Sequence, residues 1–496
     1  MDEKRTKEKR ESAGKFEKIM RTGVCALFML LLCAPGAMLL TTGEDKTVLD
    51  GEKQYTPPEF SVSDFASADF QSNFELWFST KYPMRGKFVS AYRQIGFDLS
   101  NIGFDISTAF VPKNPPKTEQ QTPAVDSADT LENTETTEVV EEPFTYSDFN
   151  PLYAEINKRL YEREEIENTG YKGAAQVVIG DSGYCYEDGY INEYYGFSQK
   201  YRDCPDDWIA DRVERLDYIQ KELARRGIAC TFVISASKAS EYERFIPEWY
   251  LAQNTFPEEY TRPVDKLRAA LAETDINYID SAKYFDEIGL DETFAITGTH
   301  WNKPAAFEVM KRLLEMYTEQ TGKETVILTA DRIAESKGPS GYGNPENDIF
   351  NIAYSGLSTK GAIKDEAYYI PAIKAENEDA PKINVFLQGG SFTWDFKYYL
   401  ENFRISRRFH MFYYNTWQGA ENVNPFTQGD KGWDRILGSV DYVILECNEQ
   451  YVVQMGTDQP SWGAADKQAL SYNANDIYVS LYDYLKNTES TWEAEE

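Results

Sequence analysis

An apolar run that stops at two glycines and then presents a serine constrains this chain more than any other feature. Ile383–Leu387 predicts a buried strand, and Gly389, Gly390 and Ser391 follow after one glutamine. Glycine lets the backbone turn sharply enough to lift a hydroxyl out of a sheet. Helical spacing resumes from Phe392, and a strand, glycine turn, serine and helix in this order are typical of nucleophilic catalysis. We therefore predict Ser391 as a nucleophile, with Gly389, Gly390 and Phe392 forming the turn and its oxyanion donors.

The chain contains only two histidines, His300 and His410, as candidates for a general base. Histidine is the side chain most often used as a base near neutral pH. His300 lies just before a helix predicted over Lys303–Tyr317, with Asn302 as its N-cap. This predicts an imidazole at the functional edge of the sheet. A core histidine with a satisfied ring fits the same spacing equally well.

A second serine competes with Ser391 for the role of nucleophile. Ser182 lies in a Gly-Asp-Ser sequence after the apolar run Ala174–Ile179, but residues 184–190 do not resume a helical pattern. Without a following helix, Ser182 lacks the dipole and the packed turn of an activated nucleophile. We predict a hairpin or turn here and prefer Ser391.

Apolar segments and helical patterns alternate through the second half of the chain, which predicts an α/β fold. The predicted strands are Ala174–Ile179, Ala229–Ser235, Ile383–Leu387, Met411–Tyr414 and Asp441–Leu445. Such alternation predicts a mostly parallel sheet covered by helices on both faces, a three-layer α/β/α domain with ligands at the carboxyl ends of its strands. Glu446, at one such end, is a candidate site member together with Thr299 and Trp301. Lys337–Lys360 has no periodic pattern and predicts a loop over that edge.

The predicted organisation is that of a single-pass protein of the cell membrane with a large extracytoplasmic domain. Residues 1–21 form a basic cytoplasmic head, 22–41 a transmembrane anchor, 42–112 an outer segment with short amphipathic helices, 113–143 an acidic disordered linker, and 144–490 the large domain. Positive residues before an apolar run stay in the cytoplasm, and Gly23–Leu40 is long enough to cross a bilayer. A signal peptide cleaved near Ala37 is the alternative.

Charge and cysteine content limit the partners and cofactors of the chain. The net charge of -31 argues against nucleic acid, because phosphate neutralisation supplies most of that affinity. No cysteine or histidine spacing indicates zinc, and we expect neither a metal nor a cofactor. Cys185 and Cys204 are candidates for a disulfide, whereas Cys230 and Cys447 fall in apolar runs and are predicted to be core residues.

Several short segments together resemble a known family from about Phe70 to the C-terminus. They are Phe74–Trp77 with Tyr82–Arg85, Val178–Tyr184, Arg226–Ile228 running into Val233–Lys238, Thr299–Trp301, and Gly389–Phe392. In this order they resemble the AlgX/AlgJ (DHHW-type) group of SGNH-hydrolase-like polysaccharide O-acetyltransferases. The resemblance implies an SGNH-hydrolase-like fold, a polysaccharide acceptor, and a membrane-embedded acyltransferase partner that delivers acetyl groups.

Carried over by position, the resemblance makes Ser391 the nucleophile and His300 the base. The chain departs from the family at Gly298 and Gly390, where aspartates are usual. The first of these acids normally orients the imidazole. Three interpretations stay open: an acid from elsewhere replaces it, the site works as a slow Ser/His dyad, or the domain is a non-catalytic glycan-binding or assembly component. An acetylesterase is a further alternative.

Overall fold

The computed structural model describes residues 69–81, 176–336, 348–354, 368–413, 416–417, 425–455 and 476–492, and the single positions 57, 87, 91, 94, 95, 153 and 173. The chain divides into two compact units, one of residues 1–110 and 354–360 and one of residues 111–353 and 361–496. The predicted head, anchor and linker lie outside the described residues. Within the part that is described, no helix has both the length and the apolar character needed to span a bilayer. The anchor and the domain boundaries stay predictions.

The first unit contains one described helix, α1 (Asp69–Lys81). Its aromatic residues are spaced at helical intervals, so their rings stack along one face: Phe70 on Phe74 at 6.1 Å and Phe74 on Phe78 at 5.8 Å. This confirms the helical spacing predicted there. The companion helix predicted around Tyr92 falls largely outside the described residues.

The elements of the second unit follow one another along the chain with short connections. The strands are β1 (Val177–Ile179), β2 (Cys185–Glu187), β3 (Ala229–Ser235), β4 (Tyr278–Asp280), β5 (Ile327–Ser336), β6 (Tyr368–Glu376), β7 (Ile383–Gly389), β8 (Ser406–Tyr413), β9 (Thr416–Trp417) and β10 (Tyr442–Asn448). The helices are α2 (Asp188–Tyr194), α3 (Gln199–Arg202), α4 (Asp206–Arg225), α5 (Lys238–Glu241), α6 (Glu248–Leu251), α7 (Pro263–Ala272), α8 (Ser281–Ile288), α9 (Lys303–Thr321), α10 (Asp348–Tyr354), α11 (Trp394–Asn402), α12 (Pro425–Gln428), α13 (Asp430–Leu437) and α14 (Asp476–Trp492).

The central sheet has the strand order β4-β3-β10-β7-β8-β9. Strands β4, β3, β10, β7 and β8 are parallel, and only the short β9 runs antiparallel. The prediction of a mostly parallel α/β sheet is confirmed. Because β10 inserts between β3 and β7, the carboxyl ends of these three strands meet at the middle of one sheet edge, which is where such folds bind ligands.

Helices cover both faces of this sheet because alternate strand residues point to opposite sides. On one face, Val233, Val385 and Ile444 pack in a core with helices α9 and α11. On the other face, the neighbouring strand residues pack in a second core with α4, α7, α13 and α14. Both cores are closed to solvent, so the strand ends are the part of the sheet left for chemistry.

Three sequence predictions need correction. The run predicted as the strand Ala174–Ile179 of the main sheet supplies β1, which instead pairs antiparallel with β2 in a separate hairpin. The predicted loop Lys337–Lys360 contains helix α10, while its other residues are outside the described part. Strands β5 and β6, which the sequence analysis did not predict, form an antiparallel pair of their own.

The predicted disulfide between Cys185 and Cys204 is also wrong. Both cysteines are buried with free thiols, as are Cys230 and Cys447. The hairpin strand and the loop before α4 each bury one of the first two side chains in a different core, so no bond forms between them. The last two are core residues, as predicted.

Candidate active site

The nucleophile turn forms where the pattern predicts it. Strand β7 ends at Gly389, Gly390 continues in an extended conformation, and Ser391 begins a single 3-10 turn that leads into α11. Thr393 closes the turn because its N–H and its hydroxyl both donate to the Gly390 carbonyl, at 3.2 and 2.6 Å. The turn therefore holds Ser391 at the carboxyl end of a central strand.

Glu446 lies directly against this turn. It ends the buried part of β10, is 1% exposed, and accepts the Gly390 N–H at 2.6 Å and the hydroxyl of Ser235. A Cβ on Gly389 would lie 2.5 Å from Glu446 Oε2, which explains why glycine is needed there. The sequence prediction that Glu446 neighbours the site is consistent with these contacts. Because the Gly390 N–H is already bonded to Glu446, an oxyanion role for it stays a prediction.

Burial raises the pKa of Glu446 to about 7. The hydrogen bonds from Ser235 and Gly390 and the charge of His300 act in the opposite direction. A carboxyl beside the serine turn thus changes its charge near neutral pH.

The imidazole of His300 lies against the residue that follows Ser391. Its ring is 5.0 Å from the ring of Phe392 at an interplanar angle of 72°, and its side chain is 20% exposed. Phe392 is buried and also contacts Trp301, at 5.1 Å between ring centroids. Asn302 caps α9 by accepting the Ala305 N–H at 3.0 Å, as predicted, so the histidine precedes a fixed helix end. Phe392 therefore joins the histidine segment to the serine turn.

Asp348, the first residue of α10, is the acid that the sequence analysis missed. Its Oδ2 lies 4.0 Å from His300 Nδ1. Its Oδ1 accepts the backbone N–H groups of Thr299 at 3.0 Å and Ile349 at 2.7 Å, which fix the carboxylate beside the imidazole. A direct hydrogen bond requires about 3 Å, so a shift of about 1 Å would make one. The only sequence signal was an acid in the segment predicted to lie over the sheet edge.

A buried lysine holds the loop that carries His300. Lys238 is 0% exposed, and its ammonium donates to the carbonyls of Ala295, Ile296 and Gly298 at 2.6, 2.7 and 2.7 Å. Where the family resemblance expects an aspartate side chain, the backbone of Gly298 is thus a ligand of this cation. Thr299, one residue later, donates its hydroxyl to Glu187 at 2.9 Å. The loop is therefore fixed on both sides of His300 by charged groups.

The alternative serine and histidine lie in different surroundings. Ser182 occupies the turn of the β1–β2 hairpin with a left-handed φ of 50°, which confirms the predicted hairpin. This hairpin is not part of the central sheet. His410 is buried within β8, with Nε2 3.3 Å from the hydroxyl of Ser439. Its position inside a strand is that of a core histidine.

Glu449, which follows β10, belongs to a buried ion-pair network. Its two oxygens accept from Arg262 and Arg268, each at 2.6 Å. These arginines also bind Glu193 at 2.8 Å and Asp280 at 2.7 Å. Burial alone would raise the pKa of Glu449, but the two arginines outweigh it and hold that pKa at about 2. This network fixes α7 against the strand ends.

Comparison with known proteins gives similarities to solved structures. No family model matches the chain, and no curated protein matches it. The O-acetyltransferase domain of Pseudomonas putida AlgJ is similar at 14% identity and a TM-score of 0.38, covering 60% of this chain and 99% of that one. Pseudomonas aeruginosa AlgX gives 13% and 0.34, covering 60% and 70%, and a DHHW family protein from Eubacterium siraeum gives 11% and 0.30, covering 49% and 85%.

These solved structures carry the names of the AlgX/AlgJ and DHHW group that the motif order indicated. The resemblance drawn from the sequence is confirmed in that sense. Because the TM-scores are below 0.5 and the identities below 25%, the likeness carries no argument about chemistry, which depends on the residues of this chain.

Proposed function

We propose that the large domain is a serine-dependent enzyme that transfers acetyl groups to hydroxyls of a cell-surface or secreted polysaccharide. One observation carries the proposal: His300 lies between Phe392, the neighbour of Ser391, and the carboxylate of Asp348. A hydroxyl, an imidazole and an acid in that order are the components of acyl transfer through serine.

In the proposed reaction, His300 removes the proton from Ser391 while Oγ attacks the carbonyl carbon of an acetyl ester or thioester. The bond from the acetyl carbon to the donor oxygen or sulfur breaks, and the donor leaves with the proton held by the imidazole. A sugar hydroxyl then gives its proton to His300 and attacks the acetyl-serine, which regenerates Ser391. No metal or cofactor takes part in these steps.

Asp348 would supply the carboxylate that Gly298 lacks. Its two backbone N–H contacts keep Oδ1 occupied and leave Oδ2 on the side of His300 Nδ1. A carboxylate at this nitrogen selects the tautomer whose other nitrogen accepts a proton, and it stabilises the imidazolium that forms. Of the three interpretations left by the sequence, this favours replacement of the acid by a residue from another segment.

The polysaccharide acceptor and the membrane-embedded acyltransferase partner come from the motif resemblance. The extracytoplasmic location comes from the basic head before Gly23–Leu40. We propose on these grounds that the domain works outside the membrane, receives acetyl groups from that partner, and passes them to the glycan.

A non-catalytic glycan-binding or assembly role is the second candidate. The contact that favours it is the 2.6 Å hydrogen bond from the Gly390 N–H to Glu446, because it occupies an amide that a serine turn would present to an oxyanion. An acetylesterase would use the same residues, with water as the acceptor.

Purified full-length protein incubated with a chromogenic acetyl ester, with and without an oligosaccharide, separates these functions. We expect ester cleavage and an oligosaccharide heavier by one acetyl group in the mass spectrum. Ser391→Ala should abolish both, whereas the matched control Ser182→Ala should retain them. Cleavage without transfer would indicate an esterase, and a wild-type protein inactive towards ester and oligosaccharide would indicate the binding role. Full activity of Ser391→Ala would overturn the assignment.

A further inference from the structure

Two aromatic residues flank the serine turn on its open side. Trp394 begins α11, three positions after Ser391, and is 40% exposed. Tyr413 is the last residue of β8 and is directly paired with Gly389 across the sheet. Because paired residues of neighbouring strands lie about 5 Å apart, this register puts Tyr413 beside the turn without reference to any side-chain position.

The two rings form one surface. Their centroids are 5.1 Å apart with an interplanar angle of 53°. The ammonium of Lys397, one turn further along α11, lies 5.5 Å from the centroid of the Trp394 ring and 3.3 Å from a carboxylate oxygen of Glu401. The surface therefore combines apolar ring faces with polar groups at its margin.

The exposure of Trp394 contrasts with its own helix. Phe396, Tyr399 and Leu400 are fully buried on the core side of α11. A single exposed aromatic residue is common on protein surfaces. Here the exposed ring is paired with a second ring, and the pair lies at the carboxyl edge of the sheet beside the proposed nucleophile. That coincidence points to a ligand rather than to incidental exposure.

We propose that Trp394 and Tyr413 form an acceptor subsite that binds a pyranose ring of the polysaccharide. This inference rests on the proposed function, because it assigns the substrate of that reaction to a surface. Stacking would use the apolar C–H face of the sugar, and the Lys397 ammonium would donate to a ring or hydroxyl oxygen. Two rings and one ammonium match one sugar unit in size, whereas a helix or a membrane would need a larger apolar area.

The charge of the chain favours a neutral sugar at this position. A net charge of -31 repels a polyanionic acceptor at long range. The nearest cation, Lys397, is already paired with Glu401, so it offers a hydrogen bond rather than a net positive field. The proposed ligand is therefore a neutral hexopyranose unit.

The test compares transfer with simple hydrolysis in full-length protein. Trp394→Ala and Tyr413→Ala are assayed with a chromogenic acetyl ester and a neutral oligosaccharide acceptor. We expect the acceptor KM to rise about tenfold in each, equivalent to about 1.4 kcal/mol, and the ratio of transfer to hydrolysis to fall accordingly. Trp394→Phe, which keeps a smaller ring, should give an intermediate value. The matched control is Phe256→Ala, which removes an aromatic residue that is 53% exposed elsewhere.

The outcomes separate this inference from the proposed function. If wild type cleaves the ester and transfers acetyl, an acceptor KM in Trp394→Ala equal to that of wild type, or a rise of the same size in Phe256→Ala, overturns the subsite. If wild type shows no turnover at all, the proposed function fails while the subsite is still decided by calorimetric titration with the same oligosaccharide. In that case, binding that Trp394→Ala weakens about tenfold and Phe256→Ala does not supports the subsite, and any other result overturns it.

Discussion

Replacing Lys238 by methionine removes the charge that holds the His300 loop while keeping the length of the side chain. The ammonium is fully buried and bonded to three carbonyls. The Ile296 carbonyl also accepts the Cys185 N–H at 2.8 Å, so it would keep a partner. Among the described residues, the carbonyls of Ala295 and Gly298 would lose their donor.

The size of the effect follows from these two acceptors. A buried polar group left without its hydrogen bond costs about 1–3 kcal/mol, so two give about 2–6 kcal/mol. Removing a desolvated charge returns part of this. We therefore expect the free energy of unfolding to fall by about 3 kcal/mol. Gly298 is two residues from His300, and a displacement of about 1 Å at the imidazole would lower ester turnover by about 10²-fold.

Urea denaturation of the full-length protein, followed by tryptophan fluorescence, measures the first effect, and ester hydrolysis measures the second. Lys221→Met is the matched control, because its side chain is 65% exposed and its ammonium bonds only Asp217 at the surface. The control should shift the free energy of unfolding by less than about 0.5 kcal/mol. A Lys238→Met protein as stable as this control would refute the reasoning.

Three further variants test the site. Asp348→Asn should keep the fold, because an amide oxygen still accepts the N–H groups of Thr299 and Ile349, but should lower ester turnover by about 10²-fold, less than the roughly 10⁴-fold seen where the acid bonds the imidazole directly; unchanged turnover would remove Asp348 from the mechanism. Glu446→Gln tests a carboxyl whose folded-state pKa of about 7 lies above its ordinary value of 4.5. The folded wild type binds the extra proton between these values, so its stability is full below the lower pKa and is lost as the pH rises through the higher one. Relative to wild type, the variant should gain on the order of 3 kcal/mol between about pH 4 and pH 8 in urea titrations, and a constant difference would contradict the raised pKa. Gly389→Ala forces a methyl group against Glu446 and should lower both the melting temperature, by about 1–3 kcal/mol of stability, and ester turnover; wild-type values for both would show that the turn tolerates a side chain.

The sequence by itself predicted the local parts of the site. Gly389, Gly390 and Ser391 end a strand and begin a helical turn, as the pattern indicated, because strand periodicity, glycine freedom and helical spacing act over a few residues. Asn302 caps α9 for the same reason. The hairpin at Ser182 followed from the missing helical pattern after it.

Only the tertiary structure decided which groups surround these parts. Asp348 reaches His300 from a segment without any periodic pattern, and Glu446 reaches Gly390 because β10 inserts between β3 and β7. Lys238 finds its three carbonyls because α5 follows β3 at the same sheet edge. Periodicity tells which face of an element is buried, but not which element lies against it. The order of strands in the sheet fixes that, and it is set by the packing of the whole domain rather than by neighbours along the chain.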